Sequence, residues 1–238
     1  MRIGFRFRWV PFVATLLLVA LGMSLGQWQQ GRAEQKVALE AKLAAGNRAA
    51  PLALGPQLMA AAPVEFRRIK VAGQFVPGWA IYLDNRPYQG RAGFYLLMPF
   101  KIEGSSMHVL VERGWLPRNT AARDHMAPYT TPGGTVTLEG IARLNAGHVM
   151  QLGSAPPLRP NAIVQNADIG QLAAASGLTL QPFVVEQSAG PGIDQLVRDW
   201  PAPSLGVEKH RAYAFQWYAL ALMAFLFFVV TGCRRGTN

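Results

Sequence analysis

Apolar positions fall into two long uninterrupted runs near the ends of the chain and a series of short alternating runs between them. From Trp9 to Gly26, 18 residues carry no charge, and as a helix they would extend roughly 27 Å, close to the thickness of a bilayer's hydrocarbon core. From Ala212 to Gly232 another 21 residues lack charge, roughly 32 Å as a helix, with Gln216 as the conspicuous polar residue. Each run predicts a transmembrane α-helix. A cleaved signal peptide is the competing reading of the first, because Arg2, Arg6 and Arg8 precede it. The run exceeds the usual apolar region of such a peptide, and Gln27, Trp28, Gln29 and Gln30 follow without a small-x-small cleavage site. A retained anchor is therefore expected, with the mature chain beginning at or near Met1.

Helical spacing continues beyond the first run. Leu21, Leu25, Trp28, Arg32, Gln35, Leu39 and Leu43 recur at steps of three or four, which predicts a rigid stalk over residues 27–46 with Gly46 as its stop. Residues 49–63 are rich in Ala, Pro and Gly and read as a linker or wrapped loop. A body over residues 64–190 then shows short β-like runs: Arg68 to Phe75, Trp79 to Leu83, Gly93 to Phe100, His108 to Trp115 and Thr135 to Leu144. Pro77-Gly78, Asp84-Asn85, Gly104, Pro117 and Pro132-Gly133-Gly134 separate them. Five strands at this spacing predict an antiparallel sheet or small barrel. A short helix from Asp168, as N-cap, to Ser176 follows, with Gly177 as its stop, and Gln181 to Gln187 is the final strand.

Composition excludes a disordered chain, since 50% of the 238 residues are hydrophobic and only 15% charged. The formal charge of +10 suggests nucleic acid until its distribution is read. Five arginines with no acid sit at the two tips, at Arg2, Arg6, Arg8, Arg234 and Arg235, and the residues between hold 18 basic against 13 acidic side chains with no basic stripe. Ordinary solvated charge explains that middle better than a nucleic-acid surface. The arginines outside each apolar run place both termini in the cytoplasm by the positive-inside rule. The expected architecture is a membrane protein with two transmembrane α-helices, 9–26 and 212–232, flanking an antiparallel β-rich α+β periplasmic domain, 27–211. Residues 1–8 form a basic cytoplasmic N-terminus and 233–238 a cytoplasmic tail. With no Arg-rich, Ser-rich transit peptide ahead of the first helix, a multi-pass protein of a bacterial inner membrane is expected. The single cysteine, Cys233, excludes a disulfide framework and a zinc site built from paired thiolates.

Reactive groups at supporting spacings are missing. There is no G-x-S-x-G elbow, no H-E-x-x-H, no Walker lysine loop and no G-x-G-x-x-G after a strand. His108, His125 and His148 are widely separated and read as solvated side chains at a strand start or in loops. His210 differs, because it stands where the second helix enters the membrane. At 100° per residue His210, Tyr213, Ala214, Trp217 and Ala221 share one face, with Gln216 on its flank. An imidazole there would ligate an iron whose ring lay against that face. The simpler alternative is that His210, Arg211, Tyr213 and Trp217 form an interfacial belt. Gln216 weighs against the belt, since an amide at that depth usually faces another helix or a ligand.

Four blocks of residues resemble the Surfeit locus protein 1 family of cytochrome c oxidase assembly factors. Gly26, Trp28, Gln29, Arg32 and Lys36 match G-x-W-Q-x-x-R-x-x-x-K. Arg68, Gly73 and Phe75, then Asp84, Asn85, Arg86, Gly90 and Gly93, match G-x-F and D-N-R-x-x-x-G-x-x-G. Arg113, Gly114, Trp115 and Pro117 match R-G-W-x-P, and His210, Tyr213, Ala214, Gln216 and Trp217 match H-x-x-Y-A-x-Q-W. Glu112 stands where the resemblance expects asparagine, and Met98 where it expects threonine. Asn85 and Gly90 suit a turn with positive φ, and Arg86 and Arg113 are expected to pair with Asp84 or Glu112 as structural ions. The resemblance implies a non-enzymatic assembly factor for a haem-copper oxidase, acting with the catalytic subunit and the haem a synthesis machinery. It implies haem a as cofactor, held stably or in passing, with His210 as axial ligand to the iron. Tyr213 and Trp217 would then pack the macrocycle, Gln216 would bond a polar edge or Arg32, and Arg32 would meet a propionate. A membrane scaffold that stabilises an oxidase assembly intermediate without binding haem is the alternative.

Overall fold

A computed structural model describes residues 3–5, 7–119, 126–151, 153–189, 194–201 and 206–235. Arg2, Arg6, His125 and the last three residues of the tail lie outside these. The elements in chain order are β1 (Ile3–Phe5), α1 (Trp9–Arg48), β2 (Leu52–Ala53), α2 (Ala61–Val64), β3 (Arg68–Phe75), β4 (Ile81–Leu83), β5 (Gly93–Ile102) and β6 (Met107–Pro117). They continue with β7 (Val136–Arg143), β8 (Ala162–Val164), α3 (Ile169–Ser176), β9 (Thr179–Ala189), α4 (Val207–Gly232) and β10 (Cys233–Arg235). The chain forms two compact units, one from residues 1–42 with 202–238 and the other from 43–201.

The first unit is a helical hairpin. Both helices are long and apolar enough to cross a membrane, with 18-residue windows of mean hydropathy 2.0 and 1.9. Their side chains do not form a protein core: Leu16, Leu17, Leu18, Leu222, Phe225 and Phe227 are all exposed. A water-soluble globule would bury such a surface, and a bilayer is the solvent that tolerates it. At the ends β1 pairs antiparallel with β10, Ile3 opposite Arg235 and Phe5 opposite Cys233, so these two strands lie at the same end of the hairpin. Helix α1 runs through Gly46 rather than stopping there. A Cβ at Gly46 would collide with the Phe66 carbonyl, so this glycine serves a close backbone approach rather than helix termination.

The second unit is β-rich. Strands β3, β7, β9, β6 and β5 are hydrogen-bonded in that order, and β3 pairs back to β5 through Gly73–Ile102 to close a barrel. Ile69, Val71, Phe100, Val109, Val111, Phe183 and Val185 fill its interior, and each is at most 2% exposed. The expectation of a purely antiparallel sheet is corrected here. β6 runs parallel to β9, β4 to β8 and β2 to β3. Geometry demands at least one such pair, because a closed ring of five strands cannot alternate direction all the way round. Strand β4 also begins later than expected, after a 3₁₀ turn at Pro77–Trp79. The Pro-rich segment 49–63 is wrapped onto the barrel, with Leu52 and Ala53 paired to Ile69 and Lys70. Outside the barrel α3 covers a second apolar layer that includes Ile81, Leu83, Leu97, Leu110, Leu172 and Val184. Its ends follow the sequence signals: the Asp168 carboxylate accepts from the Gln171 N–H, and Gly177 adopts φ 70°.

Candidate functional site

Glycine spacing sets the geometry of the hairpin. Gly22-Met23-Ser24-Leu25-Gly26 forms a G-x-x-x-G pattern, and a Cβ on Gly22 would stand 2.9 Å from that of Ala221. A Cβ on Gly26 would collide with the Tyr218 ring. Ala33, Ala214 and Ala221 are buried along the same seam. The stripe expected from Leu21 to Leu43 is therefore not the contact face: Leu21, Trp28 and Arg32 are exposed, and α4 packs on Gly22, Gly26 and Ala33 instead.

Close approach at the seam brings polar groups of the two helices together one turn beyond it. His210 Nδ1 lies 2.8 Å from Gln29 Oε1, and Tyr218 Oη donates to Gln30 Oε1 at 3.3 Å. An amide oxygen can only accept, so the imidazole donates from Nδ1, and in the neutral ring that tautomer puts the lone pair on Nε2. Histidines that bind metals are commonly anchored in this way through their other ring nitrogen. Tyr213 is 53% exposed and Trp217 half-buried, and both follow His210 on α4 at helical spacing. Arg32 donates to Gln35 Oε1 at 3.3 Å, and its guanidinium lies 5.8 Å from the centre of the Trp28 ring. Gln216 is exposed and lies on the side of α4 away from α1, with no bond to Arg32. His210, with Nε2 available and aromatic rings on its own helix, has the donor and the apolar surroundings that a haem would need. Among the described residues no group of three or more His, Cys, Asp or Glu side chains could hold a bare metal ion.

Polar groups of the β-rich unit are structural in their contacts. Arg113, expected to pair with Glu112, instead donates to the Asp194 carboxylate at 3.4 Å, to the Thr130 carbonyl at 3.0 Å and to the Thr131 hydroxyl at 2.7 Å. Arg198 joins the same carboxylate. Arg86 donates to the carbonyls of Asp84, Gly147 and Gln165 at 3.1–3.2 Å, while the Asp84 side chain pairs with Arg118. Asn85 has φ 59°, as its turn requires. His108, expected in solvent, is only 7% exposed on β6, and burial lowers the affinity of its ring for a proton. His148 is exposed. Glu112 is 3% exposed; burial first, then the charge of Glu186 beside it, push its carboxyl up to about 8, with Arg86 and Arg143 pulling the other way. A cavity of about 840 Å³ is lined by Tyr82, Met126, Pro156, Arg159 and Asn161, and the Tyr82 hydroxyl is hydrogen-bonded to that of Tyr129 at 3.0 Å.

Two features of the hairpin escaped sequence reading. Gln29 is one: an amide three residues before Arg32, the first charged residue of α1, is a signal for a polar partner across a seam. The G-x-x-x-G pattern inside the first apolar run was a direct signal of helix contact.

Comparison with known proteins adds the family context. A model of the SURF1 family matches residues 16–222, from within α1 to within α4, and includes the whole β-rich unit. An uncharacterised SURF1-like protein of Mycobacterium tuberculosis is 28% identical over 176 residues, covering 71% of this chain and 61% of that protein. Surfeit locus protein 1 of Rattus norvegicus is 29% identical over 143 residues, covering 54% of this chain and 46% of the other. Surfeit locus protein 1 of Xenopus tropicalis is 23% identical over 227 residues, with 86% and 70% covered. The chain thus spans about three fifths of the length of the mycobacterial relative, 61%.

Proposed function

The chain belongs to the SURF1 family, which is known for oxidase assembly, and from that membership we propose that it holds haem a at His210 for delivery to the catalytic subunit of a haem-copper cytochrome c oxidase. The observation that carries this reading is the anchoring of His210 Nδ1 on Gln29 Oε1 at 2.8 Å, which leaves Nε2 as a ligand of fixed orientation. A bound haem a would supply an iron for that nitrogen and a large apolar ring in need of protection from water. Tyr213 and Trp217 offer aromatic faces for the ring, and Arg32, beside Trp28, a cation for a propionate. Gln216, exposed on α4, is available for a polar edge of the macrocycle. The chain's part is to bind, orient and release, without turnover, between the haem a synthesis machinery and the oxidase. We place both termini in the cytoplasm of a bacterium and the β-rich unit in the periplasm, on the strength of the terminal arginines and the pairing of β1 with β10 at one end of the hairpin.

The test is to purify the chain from cells that also make haem a and record its visible spectrum. A haem a spectrum is expected from the parent chain, with the axial-ligand signature lost in His210→Ala and altered in Gln29→Leu. A spectrum unchanged by His210→Ala would remove the ligand assignment. A parent chain that carries no haem while still raising oxidase yield would favour the scaffold. Protease added to the periplasmic side should digest the β-rich unit; its survival there would reverse the orientation.

A further inference from the structure

Beyond the Gly26–Tyr218 contact the two helices border a groove of about 610 Å³, a size that suits a small-molecule ligand. It lies on the other side of the seam from His210. Gln29, which holds the imidazole, and Gln30, which lines the groove, are adjacent and so point about 100° apart on α1; His210 and Arg211 diverge in the same way on α4. The groove is therefore separate from the candidate haem face.

Its floor is apolar, made by Ala33, Val37, Ala38, Ala214 and Phe215. Its rim carries one charge of each sign, Glu34 on α1 and Arg211 on α4. By helical rise Arg211 stands about 10 Å beyond Tyr218 and Glu34 about 12 Å beyond Gly26, so the two charges share one level. They do not pair with each other: Arg211 bonds Glu208 at 3.2 Å, and Glu34 accepts from Gln30 at 3.3 Å. Arg211 is also the last charge before the uncharged run of α4, and Glu34 lies just past the uncharged run of α1. That level is where a bilayer's headgroups would be.

We propose that this groove holds a zwitterionic phospholipid with a primary ammonium headgroup, phosphatidylethanolamine, drawn from the surrounding bilayer. The inference rests on the reading that both helices span a membrane. Arg211 meets the phosphate, Glu34 accepts from the ammonium, and the glycerol and upper acyl chains lie on Phe215 and the alanines. The acid on the rim disfavours a purely anionic headgroup, and a choline headgroup has no N–H to donate to it.

The full chain is reconstituted in nanodiscs of equal parts phosphatidylethanolamine, phosphatidylglycerol and phosphatidylcholine, extracted in mild detergent, and its retained lipid counted by native mass spectrometry. One retained phosphatidylethanolamine per chain is expected. Arg211→Gln should lower its retention about fivefold, the weight of one basic side chain at a headgroup. Glu34→Gln should abolish the preference for the ammonium headgroup, and Ala38→Phe should displace lipid of every class. Lys209→Gln, exposed on the side of α4 away from the groove, should change nothing and controls for a general loss of charge or folding. Equal retention of the three lipids by the parent chain, or retention indifferent to both Arg211→Gln and Ala38→Phe, overturns the proposal. So does an apolar peptide in place of lipid. Release of the chain from membranes by alkaline carbonate would overturn the membrane reading together with this proposal; a chain that stays inserted but retains no phosphatidylethanolamine overturns this proposal alone.

Discussion

Replacing Glu112 by glutamine is expected to stabilise the β-rich unit at neutral pH and to do so in a pH-dependent way. Glu112 is 3% exposed on β6 and sits in register with Glu186 on β9, so its carboxyl is held neutral up to about pH 8, against an ordinary value of 4.5. Between those two values the folded chain keeps a proton that the unfolded chain has released. Stability from this group is therefore greatest below the unfolded value, falls as pH rises, and levels off above the folded one. Each pH unit in that window is worth about 1.4 kcal/mol, so by pH 7 the loss is on the order of 3 kcal/mol. Glutamine has the shape of the protonated acid and releases nothing on unfolding. The variant should thus match the parent near pH 4.5 and exceed it by up to about 3 kcal/mol at pH 7, or about 6–12 °C in midpoint for a unit of this size. Urea titrations followed by the fluorescence of Trp79, Trp115 and Trp200 at pH 5, 7 and 8.5 read the difference directly. A gap that stayed constant with pH would refute the reasoning, because it would mean that Glu112 has the same proton affinity folded and unfolded.

Two further substitutions test packing. Gly26→Val drives a side chain into the Tyr218 ring, so disulfide cross-linking between cysteines placed at Gly22 and Ala221 should fall sharply and recover when Tyr218→Ala is added. Asp194→Asn leaves Arg113 and Arg198 buried, with side chains 1% and 10% exposed, and without their anion. A loss of about 3–5 kcal/mol in urea is expected, and the apolar triple Arg113→Met, Asp194→Leu and Arg198→Met should cost less than Asp194→Asn alone.

The strands that were legible in the sequence are those whose side chains alternate between a barrel interior and an outer face, as in Arg68–Phe75 and Val136–Arg143. The short helix was legible because Asp168 and Gly177 do local work at its ends. A small barrel was among the architectures that the spacing of the strands allowed, but the parallel pairing of β6 with β9 was not legible, since it depends on contacts between residues about 70 positions apart that leave no local period. His210 stood out by its position at a membrane boundary, but its partner Gln29 lies 181 residues away and no pattern on either helix alone pairs them. Gln216 misled for the opposite reason: an amide in an apolar run suggests a neighbouring helix, and the neighbour here packs on Ala214 and Ala221, nearly half a turn away. Glu112 was legible only as a departure from a pattern, because nothing in a sequence reports how deeply a strand will be covered.

Strand β9 is the last of the barrel to be synthesised, yet it lies between β6 and β7. Until residue 189 has left the ribosome, those two strands have no common neighbour and each presents a bare edge. A nascent or prematurely terminated chain ending before Thr179 would consequently expose two sticky ribbons at once, and the cell would meet it as a target for chaperones and proteases rather than as a shortened working protein.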